Sequence, residues 1–267
     1  MDYGFFDYKY NIAGYAGQDF DNGMRYVYMV FCLVMIPLLV FLFRKADRKR
    51  VTYTLRALSI FMIVLDVTKI VWESYWDITT GQGFNFGGLL PLDTCSIFLF
   101  VLPVAAFGKG KLQEYSLAWL VTFGFVGGFA NVLFIQGLKW YPFWTFGAMY
   151  SMIYHFVMVF TALWIVATLY LKVKPKHILY ALVPHGIFSL IAIPLNYVFG
   201  WDYMLYRRAG GVPAVEGISD KLIESGLPWV TPLIMIAVYV SLDAAFIGLY
   251  ILWQKAVGAI RSRKASS

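Results

Sequence analysis

The residues best suited to chemistry in this chain are a cysteine and a histidine that lie inside otherwise apolar stretches. Cys95 follows the run Gly87–Pro91 (GGLLP), and proline is favoured at the first position of a helix. If a helix begins at Pro91, Cys95 lies in or just past its first turn, where the helix macrodipole favours a thiolate. A thiolate within reach of the His155 imidazole is a nucleophile–base pair suited to covalent acyl transfer. The alternative is that Cys95 is a small, unreactive hydrophobe.

Further polar side chains fall in the same apolar stretches. Such groups are costly at membrane depth and face a bundle interior or a wet cavity, so each is a candidate site residue. Five predicted helices carry them in their outer halves or near the middle, namely Asp66, Lys69, Cys95, Asn131, His155 and Asn196. We therefore predict that these groups converge on one volume, with His185 and Asp243 away from it or at its edge.

The charged residues of this set have two possible roles. Asp66, Lys69 and Glu73 are spaced i, i+3 and i+7, so they share one face of their predicted helix. Lys69 could hold a lipid phosphate as part of a site. It could also be neutralised by Asp66 in an internal ion pair that closes the bundle.

The elements that must position these groups are apolar segments long enough to cross a bilayer. Sixty per cent of the residues are apolar, fourteen per cent are charged, and the mean hydropathy is +0.67. Because a span needs about 20 mainly apolar residues, the predicted spans are roughly 24–43, 51–72, 89–107, 115–136, 146–171, 177–199 and 230–254. The sequence therefore predicts an all-α fold. It is a polytopic membrane helix bundle of seven transmembrane helices, forming a single transmembrane domain over residues 1–267.

Lysine and arginine set the predicted orientation of this bundle. Fourteen of them fall on one set of alternate connections and at the C-terminal tail, and two lie within the second span. Six fall on the opposite set: Lys9, Arg25, Lys139, Arg207, Arg208 and Lys221. The positive-inside rule therefore predicts an N-out, C-in topology.

The same charge distribution narrows the expected partners. The net charge of +7 comes mostly from these topological anchors, so we expect contact with anionic membrane lipids and no nucleic-acid partner. Cys32 and Cys95 lie on separate predicted spans, and the three histidines show no close ligand pairing. We therefore expect no structural disulfide, no metal and no cofactor. The sequence leaves the oligomeric state open.

Two blocks of the sequence resemble a known family. The segment 90–97 (LPLDTCSI) resembles the Pro-Leu-His-Leu-Cys element of the YwaF-type integral membrane family, which also contains the animal transmembrane protein 164 acyltransferases. The segment 193–204 (IPLNYVFGWDYM) is similar to that family's Asn-xxx-Gly-Thr-Asn-Tyr-Met element. Arg207, Arg208 and Pro213 follow in the family's order, and His155 matches the position of its histidine. The likeness extends over most of the chain from the second span onward.

The resemblance implies a function and a set of roles. Such enzymes move fatty acyl chains between phospholipids through a cysteine thioester, so Cys95 is the expected nucleophile and His155 the expected base. For this mechanism we expect Asn131 and Asn196 to donate to the oxyanion, with Asp93 as a further support. The residues expected to bind substrate are Lys69, Asp66, Asp202, Tyr203, Arg207 and Arg208. The two arginines could equally be ordinary surface charge.

The chain departs from the family pattern at four positions. Asp93 stands where the family usually has histidine, Phe156 where it has glycine, Trp201 where it has threonine, and Asp202 where it has asparagine. The nucleophile–base interpretation survives these changes. The acyl donor, a phospholipid or glycolipid, and the lysolipid-type acceptor could differ from those of the family.

Other functions fit part of the same pattern. A lipid hydrolase would use the same residues, with water as the acyl acceptor. A small-solute or ion-coupled transporter would also bury Asp66, Lys69 and Asp243, although the chain shows no internal repeat of the transporter kind. A receptor fits the topology but lacks the usual receptor signatures. The compact chain without organelle signals favours a bacterial plasma membrane.

Overall fold

The structure is a computed structural model, and it describes residues 3–8, 12, 23–134, 141–209 and 213–265. Every regular element in these ranges is helical, which confirms the all-α prediction. The α-helices are α1 (Met24–Phe43), α2 (Arg48–Thr79), α3 (Phe86–Leu89), α4 (Phe98–Phe107), α5 (Gly110–Trp119), α6 (Phe125–Phe134), α7 (Phe146–Ala167), α8 (His177–Phe199), α9 (Pro213–Glu224) and α10 (Val230–Ala265). A π-helical turn, Leu120–Gly124, joins α5 to α6, and a 3₁₀ turn, Tyr203–Leu205, follows α8.

Five helices in the described part of the chain are long and apolar enough to cross a membrane. They are Met24–Phe43, Gly110–Leu133, Phe146–Ala167, His177–Phe199 and Val230–Ala256. The second predicted span, 51–72, lies within α2, and the third, 89–107, coincides with α4 only over a ten-residue apolar helix. Neither is among the five. Residues 135–136 of the fourth predicted span, and Lys9 and Lys139 of the orientation argument, lie outside the described residues.

The chain divides into two compact units. Unit 1 contains residues 1–91 and 124–168, and its central helix is α7, which packs against α1, α2 and α6. The contact between α6 and α7 is close because Gly128 has no side chain: a Cβ there would lie 2.9 Å from the Cβ of Met158. Residues 3–8 cover one end of the unit, where the Trp72 and Trp76 indoles donate hydrogen bonds to the Phe6 carbonyl at 2.7 and 2.8 Å.

Unit 2 contains residues 92–123 and 169–267, and α8 is its central helix. It packs against α5 and α10 through a face whose buried positions recur every three or four residues, as expected for a helix with one buried stripe. The members of that face are His177, Ala181, His185, Ser189, Ala192 and Asn196. At the start of α8, Glu114 of α5 accepts hydrogen bonds from Lys176 at 2.6 Å and His177 at 3.1 Å. Four of the six residues of this buried face are polar.

Candidate functional site

Cys95 lies in a series of tight turns before a helix, which differs from the predicted position in a first helical turn. Regular helix α4 begins at Phe98, and Leu90 is extended with ψ 123°, the conformation that a following proline favours. The carbonyl of Asp93 accepts from the backbone N–H of Ser96 at 2.8 Å, and that of Cys95 accepts from Phe98 at 3.1 Å. We call residues 93–98 the Cys95 turn. Cys95 itself is half-buried, and the Asp93 side chain is exposed.

A second segment of unit 2, residues 200–209, follows α8, and we call it the arginine loop. The amide of Asn196 holds its start: Nδ2 donates to the Tyr203 carbonyl and Oδ1 accepts from the Tyr203 N–H, both at 2.8 Å. Asp202 holds its middle, since Oδ1 accepts from the backbone N–H of Arg207 at 2.7 Å and of Arg208 at 3.0 Å. The oxyanion role predicted for the fully buried Asn196 stays a prediction, and its observed contact is with this loop.

The arginine loop has an unusual backbone. Met204, Leu205 and Ala209 have φ angles of 54°, 60° and 53°, in the left-handed region that side chains other than glycine rarely adopt. Each such residue costs about 1–2 kcal/mol. Strain of this kind persists where the surroundings over-determine it, and it concentrates at functional sites. The hydrogen bonds of Asn196 and Asp202 on either side of Met204 provide that constraint.

The Cys95 turn and the arginine loop are joined by side chains. Thr94 Oγ1 lies 3.0 Å from the hydroxyl of Tyr239 in α10, and the Tyr239 hydroxyl lies 3.0 Å from the Met204 carbonyl oxygen. Burial and the nearby Asp93 carboxylate raise the pKa of Tyr203 to about 12. The first residues of the loop are therefore close to the turn that carries the candidate nucleophile.

The two arginines of the loop have different partners. Arg208 forms an ion pair with Asp220 of α9, with Nη2 and Nε at 2.9 and 3.1 Å from one carboxylate oxygen. Arg207 Nη1 donates to the backbone carbonyl of Gly200 at 2.6 Å. A carbonyl carries no full charge, so this contact leaves the positive charge of Arg207 available to an anion.

A polar network that the sequence did not predict surrounds His185 in the same unit. The His185 ring stacks on Phe123 with centroids 4.3 Å apart and meets the Tyr239 ring edge-on at 4.8 Å. Its Nε2 lies 3.2 Å from the Tyr206 hydroxyl, which lies 2.6 Å from Ser189 Oγ. Depth along its helix predicted His185 to lie away from the cysteine cluster or at its edge. In the structure His185 and Thr94 both contact the Tyr239 side chain. The regular recurrence of polar residues along α8 is the signal that could have found it.

The remaining predicted residues lie in unit 1. Lys69 pairs with Glu73 at 2.5 Å, not with Asp66, and Glu73 also accepts a hydrogen bond from Tyr141. Asp66 accepts from the Tyr150 hydroxyl at 2.6 Å. These charged groups thus have partners within the unit, and both roles proposed for them, structural and substrate-binding, stay predictions.

His155 is buried in α7, and its hydrogen bond defines its tautomer. Nδ1 lies 2.7 Å from the Ser151 carbonyl oxygen, which can only accept, so Nδ1 carries the hydrogen and Nε2 is the basic nitrogen. Asn131 is partly buried in α6, one turn beyond the glycine that packs against α7. The predicted convergence of all these groups with Cys95 stays a prediction. In the described ranges, no three of His, Cys, Asp and Glu are grouped so that they could hold a metal ion.

Comparison with protein families finds a match to the TMEM164 family over residues 21–251. The matched range covers most of the chain and includes the Cys95 turn, His155 and the arginine loop. Searches of curated proteins and of solved structures found no match.

Proposed function

Because the chain belongs to the TMEM164 family, we propose that it is a membrane-embedded lipid acyltransferase that works through a thioester on Cys95. We further propose that it crosses the membrane seven times with its N-terminus outside and its C-terminus inside, in a bacterial plasma membrane. The helix count rests on the apolar segments, and the orientation rests on the lysine and arginine distribution.

The proposed reaction has two steps. The Cys95 thiolate attacks the ester carbonyl of a phospholipid or glycolipid, and the lysolipid leaves with the proton that the base took from the thiol. The hydroxyl of an acceptor lysolipid then attacks the acyl-cysteine, and its proton returns to the sulfur through the same base. The sequence resemblance gives the base role to His155. Its free Nε2 lone pair is the form that such a role needs.

Substrate binding is proposed for the arginine loop. Arg207 would hold the lipid phosphate. Within the described residues its guanidinium donates to the neutral Gly200 carbonyl, and its other N–H groups can bind an anion. Lys69 is already paired with Glu73 and Asp66 with Tyr150, so a structural role suits them better than substrate binding. Asp93, Asn131 and Asn196 are proposed as supports of the reacting centre. Asp202 and Tyr203 shape the loop that Arg207 belongs to.

The main support for the proposal is the difference in burial and location between Cys32 and Cys95. Cys32 is 1% exposed in α1, as expected of a packing residue. Cys95 is half-buried in a turn at the start of an apolar helix. The Tyr239 hydroxyl links that turn to the arginine loop, where Arg207 has guanidinium N–H groups available to an anion.

Acyl transfer from a labelled phospholipid to a lysolipid in proteoliposomes tests this function. We expect Cys95→Ala to abolish transfer and Cys32→Ala, the matched control, to retain it. Release of free fatty acid by the wild type without transfer would identify a hydrolase that uses the same residues. Transfer that persists in folded Cys95→Ala protein would contradict the thioester.

The base is tested by a second matched pair. His155→Gln is expected to reduce transfer by at least about 100-fold, the usual contribution of a general base. His185→Gln, which changes the histidine in the same unit as Cys95, is expected to retain most of the activity. The reverse result would assign the base to His185.

A further inference from the structure

Tyr239 joins two segments of unit 2 that are far apart in the sequence. Its hydroxyl has one hydrogen, and the Met204 carbonyl oxygen can only accept, so Tyr239 donates to Met204. Thr94 then donates its own hydroxyl hydrogen to the Tyr239 oxygen. The bonds form a directed chain from the Cys95 turn, through α10, to the arginine loop.

The loop end of this chain is fixed. Met204 is 1% exposed and left-handed. Asn196 holds Tyr203 before it, and Asp202 holds Arg207 after it. Its carbonyl therefore points in one direction and serves as a stable acceptor for Tyr239. A change in the conformation of the loop would move that acceptor.

The other end of the chain bears directly on the candidate nucleophile. Thr94 immediately precedes Cys95, and its hydroxyl bond ties the turn to a different helix. The Tyr239 hydroxyl is also close enough to interact electrostatically with Cys95 and Asp93. The position of the thiol therefore depends on where Tyr239 is held.

We infer that Tyr239 is a positioning residue for Cys95 and couples the thiol to the arginine loop. The loop contains Arg207, so a phosphate bound there would act on the segment whose carbonyl holds Tyr239. This link to lipid rests on the proposed function. The tie between the turn and the loop rests on the two hydrogen bonds alone.

Removal of one hydroxyl tests the inference. Tyr239→Phe keeps the ring and deletes both bonds, and Tyr250→Phe is the matched control, because Tyr250 lies on the same helix with the same 8% exposure. Two rates are measured: alkylation of Cys95 by N-ethylmaleimide, resolved by peptide mass spectrometry with Cys32 as internal reference, and acylation of Cys95 by phospholipid.

The two rates are expected to move in opposite directions. Without the Thr94–Tyr239 bond the turn loosens and exposes the thiol. The alkylation rate should therefore rise about fivefold to tenfold, which corresponds to about 1 kcal/mol for that one hydrogen bond. Acylation should fall by a similar factor, because the thiol no longer meets the lipid carbonyl in a fixed geometry. Tyr250→Phe should leave both rates within about twofold, since Tyr250 takes no part in the two hydrogen bonds that join the turn to the loop.

A double-mutant cycle separates positioning from general destabilisation. Thr94→Val removes the same bond from the other side, so the double variant should alkylate at the rate of Tyr239→Phe alone. Additive effects, unchanged rates, or equal effects of Tyr239→Phe and Tyr250→Phe would overturn the inference. If Tyr239→Phe does not fold, Thr94→Val alone decides it by the same two rates. If the wild type takes up no acyl group, the proposed function fails, and the alkylation rates still decide the role of Tyr239.

Discussion

Asn196 offers a sharp test of the arginine loop, because its side chain makes two hydrogen bonds to one backbone residue. Asn196→Ala removes both 2.8 Å bonds to Tyr203 and leaves a buried N–H and a buried carbonyl without them. An unsatisfied buried group costs about 1–3 kcal/mol, so the two together cost about 2–6 kcal/mol before the loop relaxes. The left-handed conformation of Met204 and Leu205 then releases part of its strain, which favours relaxation over a rigid defect.

Hydrogen exchange measures this effect locally. The backbone amide of Tyr203 should exchange at least about tenfold faster in Asn196→Ala, since 1.4 kcal/mol corresponds to a factor of ten. Peptides covering residues 200–209 report it, and peptides from α7 serve as the reference. The control is Asn131→Ala, an amide that is only partly buried and lies in unit 1. An unchanged exchange rate for Tyr203 in folded Asn196→Ala would refute the view that this amide holds the loop.

Three further predictions follow from individual contacts. In steady-state transfer assays, Arg207→Gln should raise the KM for phospholipid at least about tenfold, because it removes the charge proposed to bind the phosphate. Arg208→Gln should change the KM by less than about threefold, because Arg208 is already paired with Asp220 and an exposed ion pair contributes little. Asp243→Leu should raise the thermal midpoint followed by tryptophan fluorescence. Neither carboxylate oxygen of this fully buried residue has a hydrogen bond within 3.5 Å in the described part of the chain, and the nearby Thr122 hydroxyl stabilises its charge only in part. Such groups cost about 1–3 kcal/mol, and a lower midpoint would contradict this reasoning. Tyr141→Phe removes a donor to a buried carboxylate and should lower that midpoint, with a loss of about 1–3 kcal/mol, and an unchanged midpoint would argue against the bond.

The apolar pattern predicted the helical class and most helix positions, because membrane spans are long and uniformly apolar. The start of α4 was predicted wrongly. Proline at 91 is compatible with a helix start, but it also disfavours helical backbone at Leu90, and the turns at 93–98 delay the regular helix to Phe98. The difference moves Cys95 from a helical turn into the segment before the helix.

The network around Tyr239 could not be read from the sequence. A tyrosine and a threonine in apolar segments look like packing residues, and Thr94 and Tyr239 lie 145 residues apart. The left-handed backbone at Met204 was equally hidden, since no glycine or asparagine occupies that position. The contacts of His185 with Phe123 and Tyr239 were not predicted, because depth along one helix does not report which side chains of other elements lie beside it.

The thioester on Cys95 can be observed by intact-protein mass spectrometry after incubation with defined phospholipids. We expect the wild type to gain the mass of one acyl group that hydroxylamine removes, and Cys95→Ala to gain none. Acylation of the Cys95→Ala protein, or a wild type that transfers acyl chains while no adduct forms even under rapid quenching, would contradict the thioester.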